Sequence, residues 1–214
     1  IGDWAWSPDG KSLAVSFRET DADRTEAAEA RREETGGSTP PWEIEDLFYR
    51  LDGDGYFGSS RFRLFLVDAE TGAHRLLFAR GSAPSFSFDW SPDSSELLVA
   101  TNVSREPLLT PWKDALFRVD AASGRVKRIA GLPEGWKSAA RYSPDGSRLL
   151  FAGREGRETW GVRNTLLFSC QLDGSDLQDL TGHTDFCLSS TVLSDTAEAS
   201  FGADYEFTSD GRHV

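Results

Sequence analysis

A five-residue pattern that occurs four times constrains the fold of this 214-residue chain more than any other feature. Trp6-Ser7-Pro8-Asp9-Gly10 recurs as Trp90-Ser91-Pro92-Asp93-Ser94, as Tyr142-Ser143-Pro144-Asp145-Gly146 and, degenerately, as Phe207-Thr208-Ser209-Asp210-Gly211. An apolar residue stands three places beyond the glycine position each time: Leu13, Leu97, Leu149 and Val214. A unit repeated at this scale signals an array architecture. Before each turn, large residues alternate: Trp4 with Trp6, Phe86 with Phe88 and Trp90, Tyr205 with Phe207. That is the period of a strand with one buried face. Pro-Asp-Gly then supplies a fixed φ, a side-chain cap and a residue that tolerates positive φ, the chemistry of a tight hairpin turn. Apolar second strands follow at residues 13–17, 97–100 and 149–152.

A second hairpin follows each of the first three copies. Leu64-Phe65-Leu66-Val67 turns at residues 68–72 into 74–78; Leu116-Phe117-Arg118-Val119 turns at 120–124 into 126–129; residues 166–170 turn near Asp173 and Gly174 into 177–180. Each unit reads as four antiparallel strands joined by short turns, the sequence of a β-propeller blade. A sandwich also yields many short strands, but it would not set the same turn and aromatics at the corresponding point of every unit. The expectation is an all-β chain, a partial β-propeller. Blade 1 covers about residues 1–80, blade 2 about 84–131, blade 3 about 138–182, and a fourth blade opens at about 203–214. Propellers close with about four to eight blades, since an open blade exposes unpaired strands. With Val214 inside a hairpin and no Met anywhere, the other blades are expected in another segment of the same parent.

The turn proline sits at positions 8, 92 and 144, so the first repeat exceeds the second by about thirty residues. The excess is an insertion at residues 19–61, between the second and third strands of blade 1, and loops of this length are often functional. Residues 19–34, rich in Glu, Ala, Asp and Arg without an apolar stripe, read as a solvated helix or a disordered tether. Residues 36–41 break it with glycines and prolines. Residues 42–50, carrying Trp42, Ile44, Leu47 and Phe48, read as a turn of helix or a strand packed on the propeller. Asp52 and Asp54 invite a calcium loop, but an EF-hand wants a third oxygen ligand and a bidentate Glu where Tyr56 and Arg63 stand. A glycine-rich turn with Asp caps is the reading.

The formal net charge is −12, the opposite of what binding to a phosphate backbone needs, so no nucleic-acid partner is expected. No apolar run approaches the roughly 18 residues of a membrane span, so no membrane partner is expected either. Cys170 and Cys187 stand alone, without metal-ligand spacing, and read as free thiols in a reducing cytoplasm. No phosphate loop, zinc motif or Gly-x-Ser-x-Gly elbow occurs, and His74, His183 and His213 lack recognisable triad partners. The chain therefore carries no catalytic residue, cofactor or metal site of its own.

Blades of the form aromatic-Ser-Pro-Asp-Gly-x-x-Leu, followed by a Val-Asp-x-x-Thr-Gly hairpin, resemble those of TolB-type and prolyl oligopeptidase propellers over nearly the whole chain. Within the insertion, Phe48-Tyr49-Arg50-Leu51-Asp52-Gly53-Asp54-Gly55-Tyr56, followed by Leu64 to Asp68, is similar to the Tyr-Arg-x-Asp-Gly-x-Gly-Tyr stretch of acylaminoacyl peptidases. These are a branch of the prolyl oligopeptidase family of serine peptidases. The resemblance implies a parent enzyme that cleaves short or N-acylated peptides and assembles as a homo-oligomer, in which a seven-bladed propeller gates a C-terminal α/β-hydrolase domain. Arg50, Asp52, Gly53, Gly55 and Tyr56 carry the motif. Arg50 is the first candidate for substrate contact, since a guanidinium fork grips a carboxylate or carbonyl; Tyr49, Arg61 and Arg63 follow. Arg50 bracing the insertion through Asp52 or Asp54 is the competing role. Glu43 and Glu45 resemble the paired glutamates of the dipeptidyl-peptidase branch in placement but not in local motif. The alternative is a non-enzymatic TolB-type propeller that serves as a protein-docking platform.

Overall fold

The computed structural model describes residues 1–45, 47–51, 55–56, 58, 60–81, 86–157, 163–189, 202–208 and 210–214. Three four-stranded antiparallel sheets follow one another, each a meander whose neighbours in sequence are neighbours in space. Sheet one holds β1 (Trp4–Trp6), β2 (Ser12–Phe17), β5 (Arg63–Asp68) and β6 (His74–Phe78); β3 (Arg50–Leu51) and β4 (Gly55–Tyr56) form a small hairpin of their own in the insertion. Sheet two holds β7 (Ser87–Trp90), β8 (Glu96–Asn102), β9 (Asp114–Asp120) and β10 (Val126–Arg128). Sheet three holds β11 (Gly135–Tyr142), β12 (Arg148–Glu155), β13 (Leu166–Gln171) and β14 (Gln178–Asp179). This is the blade architecture of a β-propeller.

The core lies between blades. One seam joins Ala14, Leu64, Leu77 and Phe78 of blade 1 to Trp90, Leu97, Val99, Phe117 and Val119 of blade 2. The next joins Leu98, Ala100, Leu116 and Ile129 to Tyr142, Leu149, Phe151, Phe168 and Cys170. Period-two alternation sends adjacent residues such as Leu97 and Leu98 to opposite seams, which is why the middle strands are apolar at every position. A third seam sets Leu150, Ala152 and Leu167 against Tyr205, Ala203 and Phe207. The segment around Tyr205 lies where the opening strand of a fourth blade is expected. It forms no regular strand among the described residues, yet Tyr205 is buried and its hydroxyl donates to the Ala139 carbonyl.

The repeated turn owes its composition to one hydrogen-bond pattern. In the first copy the Ser7 hydroxyl donates to Asp9 Oδ1 at 2.7 Å, Lys11 N–H donates to the same carboxylate at 3.1 Å, and Ser12 N–H donates to Ser7 Oγ at 2.9 Å. The same bonds recur at Ser91, Asp93, Ser95 and Glu96, and at Ser143, Asp145, Ser147 and Arg148. Thr208, Asp210, Arg212 and His213 repeat them in the degenerate copy. Asp68 and Asp120 cap the second turns through Thr71 and Ser123. Hydroxyl and amide donors hold all these carboxylates below the ordinary range, Asp145 down to about 2. A depressed carboxylate stabilises the fold above its unfolded pKa, and that contribution is lost as pH falls through the folded value. Melting temperature is therefore expected to drop as pH is lowered from about 4 towards 2. Asp145→Asn should melt lower at neutral pH and fall less steeply in acid; an equally steep fall would discount the caps.

Meander topology puts these tight turns at one end of the blades and all the longer connections at the other. The insertion lies at the longer end. Its acidic part forms α1 (Glu26–Thr35), capped by the Thr25 hydroxyl and ended by Gly36 in the left-handed region at φ 67°. The helix buries no residue. Residues 41–45 and 47–49 form neither the helix turn nor the strand expected of them; regular pairing begins only at β3. The reason is local. Prolines 40 and 41 withhold amide donors, and the aromatic side chains find partners outside a ladder: the Arg24 guanidinium sits 3.3 Å over the Trp42 ring, Trp42 stacks on Tyr56 at 6.0 Å, and Tyr56 on Tyr49 at 6.1 Å.

Candidate functional site

The insertion folds against the neighbouring connection of blade 2 and encloses a cleft of about 590 Å³. Tyr49, Phe48, Trp42 and Ile44 form its aromatic and apolar wall; Asp21, Glu43, Glu45, Arg61, Arg63, Arg105 and Glu106 supply charge. Three of the four candidate contact residues, Tyr49, Arg61 and Arg63, thus share one cleft. Arg50 does not line it. Its guanidinium lies 5.5 Å over the Tyr56 ring, a cation–π contact at the back of the aromatic stack. Asp52 and Gly53 of the motif, like Asp54, lie outside the described residues, while Gly55 takes φ 75° at the hairpin turn.

Three arginines of the cleft donate to backbone carbonyls. Arg61, only 8% exposed, donates to the Gly58 carbonyl at 2.8 Å and the Ser60 carbonyl at 2.9 Å. Arg63 donates to the Gly81 carbonyl at 3.1 Å, tying the insertion's exit to the crossing from blade 1 to blade 2. Arg24 donates to the carbonyls of Pro40 and Pro41. These arginines hold the loops in place, a role residue type alone does not reveal. Among the three candidates that line the cleft, Tyr49, 39% exposed, is the one open to solvent. Arg105 and Glu106 were not marked by any motif; only the packing of one blade's connection against the next brings them to the cleft.

A second polar cluster lies at the same end, between blades 2 and 3. Lys137 is 5% exposed, and its ammonium donates to the carbonyls of Pro133 at 2.6 Å, Gly135 at 3.0 Å and Asp114 at 3.4 Å. Its backbone N–H donates to Asp114 Oδ2 at 3.1 Å. Burial pulls the Lys137 ammonium down to about 8, and burial pushes the Asp114 carboxyl up to about 6. Strand β11 reaches this cluster through an irregularity between Ser138 and Arg141, where Ala139 takes φ 46°. Both cysteines are free, and burial pushes the Cys170 thiol up to about 11. Among the described residues no group of three or more His, Cys, Asp and Glu is placed to hold a metal, and no helix is long and apolar enough to cross a membrane.

No protein-family model matches the chain, and no curated protein matches it significantly by sequence. Solved structures do match. The acylaminoacyl peptidase of Pyrococcus horikoshii is 13% identical with a TM-score of 0.56, over 84% of this chain and 25% of that one. A puromycin-hydrolysing peptidase of Mycobacterium tuberculosis is 15% identical with a TM-score of 0.55, over 98% of this chain and 26% of that one. An oligogalacturonate lyase in complex with manganese is 15% identical with a TM-score of 0.51, over 85% and 41%. The chain thus spans between about a quarter and two fifths of the length of these proteins. Likeness at this level shows the fold alone: the chain is a run of β-propeller blades, a fold it shares with two peptidases and a lyase.

Proposed function

We propose that this chain is the substrate-gating part of a serine peptidase of the prolyl oligopeptidase type, whose parent cleaves short or N-acylated peptides with a catalytic triad on a separate α/β-hydrolase domain. The observation that carries the reading is the cleft of about 590 Å³ at the long-loop end. It is built by an insertion bearing the Tyr49-Arg50 motif, and a rigid scaffold carrying variable loops is the arrangement proteins use for recognition. The motif and the fold likeness to two peptidases support it. In this reading Tyr49 touches the peptide, Arg61 and Arg63 position the loops, and Arg50 supports Tyr49 through Tyr56. The free thiols fit a reducing, cytoplasmic compartment.

The reading is tested on the intact parent polypeptide with a fluorophosphonate probe, which labels an activated serine. Covalent labelling and hydrolysis of N-acetylated peptides are expected; absence of labelling would sink the peptidase. Within it, Tyr49→Ala should raise KM by roughly three- to tenfold with kcat unchanged, the signature of lost binding common to ground and transition states. An unchanged KM would remove Tyr49 from the substrate.

One observation favours a second reading. Ile44, Leu47, Tyr49 and Tyr56 are between 39% and 49% exposed, an apolar ledge suited to receiving another protein. A non-enzymatic docking propeller of TolB type would use that ledge and would leave the probe unreacted.

A further inference from the structure

The long-loop end carries a second cavity, of about 410 Å³, in the groove between blades 2 and 3. That volume lies within the roughly 300–1,000 Å³ of ligand sites. Val103, Trp112 and Lys113 of the connection between β8 and β9 line it, while Arg105 and Glu106 of the same connection line the cleft of the insertion. The two cavities are thus neighbours across one loop. Arg128, at the end of β10, and Leu132, in the crossing from blade 2 to blade 3, line the groove as well.

Charge in this groove is one-sided. Lys113 and Arg128 are exposed and have no hydrogen-bond or ion-pair partner for their side chains among the described residues. The acids beside them are engaged already. Glu134 Oε2 accepts from Arg157 Nε at 2.6 Å. Asp114 accepts the Lys137 backbone N–H at 3.1 Å, and its burial favours the neutral carboxyl. Beneath the groove lies the Lys137 ammonium, which holds the carbonyls of two lining residues, Asp114 and Pro133, and Arg128 is close enough to repel it. Three positive groups therefore meet at one groove in a chain of net charge −12. Like charges held together cost free energy that a bound anion recovers. A carboxylate suits the pair above the floor, because a guanidinium and an ammonium both give it charge-assisted hydrogen bonds. A small inorganic anion would leave Val103, Trp112 and Leu132 without a partner. The C-terminal residue of a peptide carries a carboxylate and a side chain on one Cα, and so meets both halves of the lining.

From this we infer that the groove between blades 2 and 3 binds the C-terminal residue of a short peptide, its carboxylate on Lys113 and Arg128 and an apolar side chain against Val103, Trp112 and Leu132. The preceding residues then cross the connection at 103–113 towards Tyr49 in the cleft. The inference rests on the proposed function only in taking the ligand to be a short peptide.

Binding is measured on the intact parent polypeptide, pretreated with the fluorophosphonate so that no peptide is consumed, by fluorescence anisotropy of dye-labelled pentapeptides ending in leucine. At low ionic strength the free acid should bind at least about tenfold more tightly than the C-terminal amide, the effect of charge-assisted hydrogen bonds to one carboxylate. Lys113→Gln combined with Arg128→Gln should cut that preference to about twofold or less and leave binding of the amide unchanged. Both side chains are exposed, so the fold is not at stake. Lys11→Gln, at the opposite rim, removes a positive charge as well and should leave the preference intact. Equal binding of acid and amide, or binding of neither, overturns the inference. So does a preference that survives the double substitution, or one that Lys11→Gln lowers as much. A peptide amide with glutamate as its last residue that binds as tightly as the free acid overturns it in favour of an acidic side chain. The peptidase stands or falls separately: a parent that the fluorophosphonate leaves unlabelled still reports this preference, and a labelled parent that lacks it sinks only the groove.

Discussion

Trp90→Ala is expected to lower stability by about 3–5 kcal/mol, the range for emptying a large aromatic site in a packed core. Trp90 is 6% exposed, fills the seam between blades 1 and 2, and donates its indole hydrogen across it. Blades touch only their neighbours, so stability is close to a sum of blade terms and seam terms, as in other repeat arrays. The loss should therefore appear as uncoupling. In a urea titration followed by circular dichroism and limited proteolysis, blade 1 should become protease-sensitive first, while residues beyond the seam stay resistant. Trp90→Phe keeps most of the ring and forfeits the hydrogen bond, at a cost of about 1 kcal/mol. If alanine cost no more than phenylalanine, the seam would not be held by this side chain.

Lys137→Met is expected to cost about 3 kcal/mol at neutral pH. It retains the apolar stem but leaves three inward carbonyls without their donor, and removal of one partner from a buried charged network is far costlier than its construction suggests. The pH profile gives the cluster a signature of its own. A lysine whose folded pKa is lowered to about 8 binds fewer protons folded than unfolded, so native stability rises as pH climbs from about 8 to about 10. Above that, burial of Tyr142 and Tyr205 acts the other way, since both are held up from their ordinary value. Asp114, raised to about 6, contributes a fall in stability between about pH 4 and 6. Lys137→Met should erase the alkaline rise, and Asp114→Asn should reduce the acid-side fall to the part that Asp89, also raised by burial, supplies, in thermal melts across these windows. A rise that survives Lys137→Met belongs to another group.

Whatever is decided within a few residues was legible in the sequence. Ser7, Asp9 and Gly10 recur because one turn needs a hydroxyl, a carboxylate and a residue at φ 70° in those places, and the alternating aromatics gave the strands. Four strands per unit followed, and with them the propeller. What was hidden depends on which backbone approaches which side chain. Arg61 and Arg63 read as ligands for peptide oxygens, yet the folded chain offers them Gly58, Ser60 and Gly81 carbonyls first. Arg50 read as the leading contact, but the stack of Trp42, Tyr56 and Tyr49 draws its guanidinium to the outside. Lys137 shares the buried face of Tyr142 because β11 carries one extra residue between Ser138 and Arg141. Trp4 and Trp6 carry the pattern of core residues and stand exposed, since a seam has two sides and a strand pattern describes one.

The division of connections between the two ends of the blades bears on how this molecule can change. At the tight end, each turn is closed by its own hydroxyl and carboxylate, and successive turns abut: Asp9 N–H reaches Ser94 Oγ at 3.1 Å, and Gly146 and Gly211 lie against Pro92 and Pro144. Lengthening one would displace the next. At the other end, some forty residues have been admitted between two paired strands without disturbing their register, Ser12 to Phe17 against Arg63 to Asp68. The two rims therefore tolerate insertion unequally: added residues can be looped out at the long-connection rim without shifting the strand register, whereas at the tight rim each turn is held by its own bonds and by its neighbour.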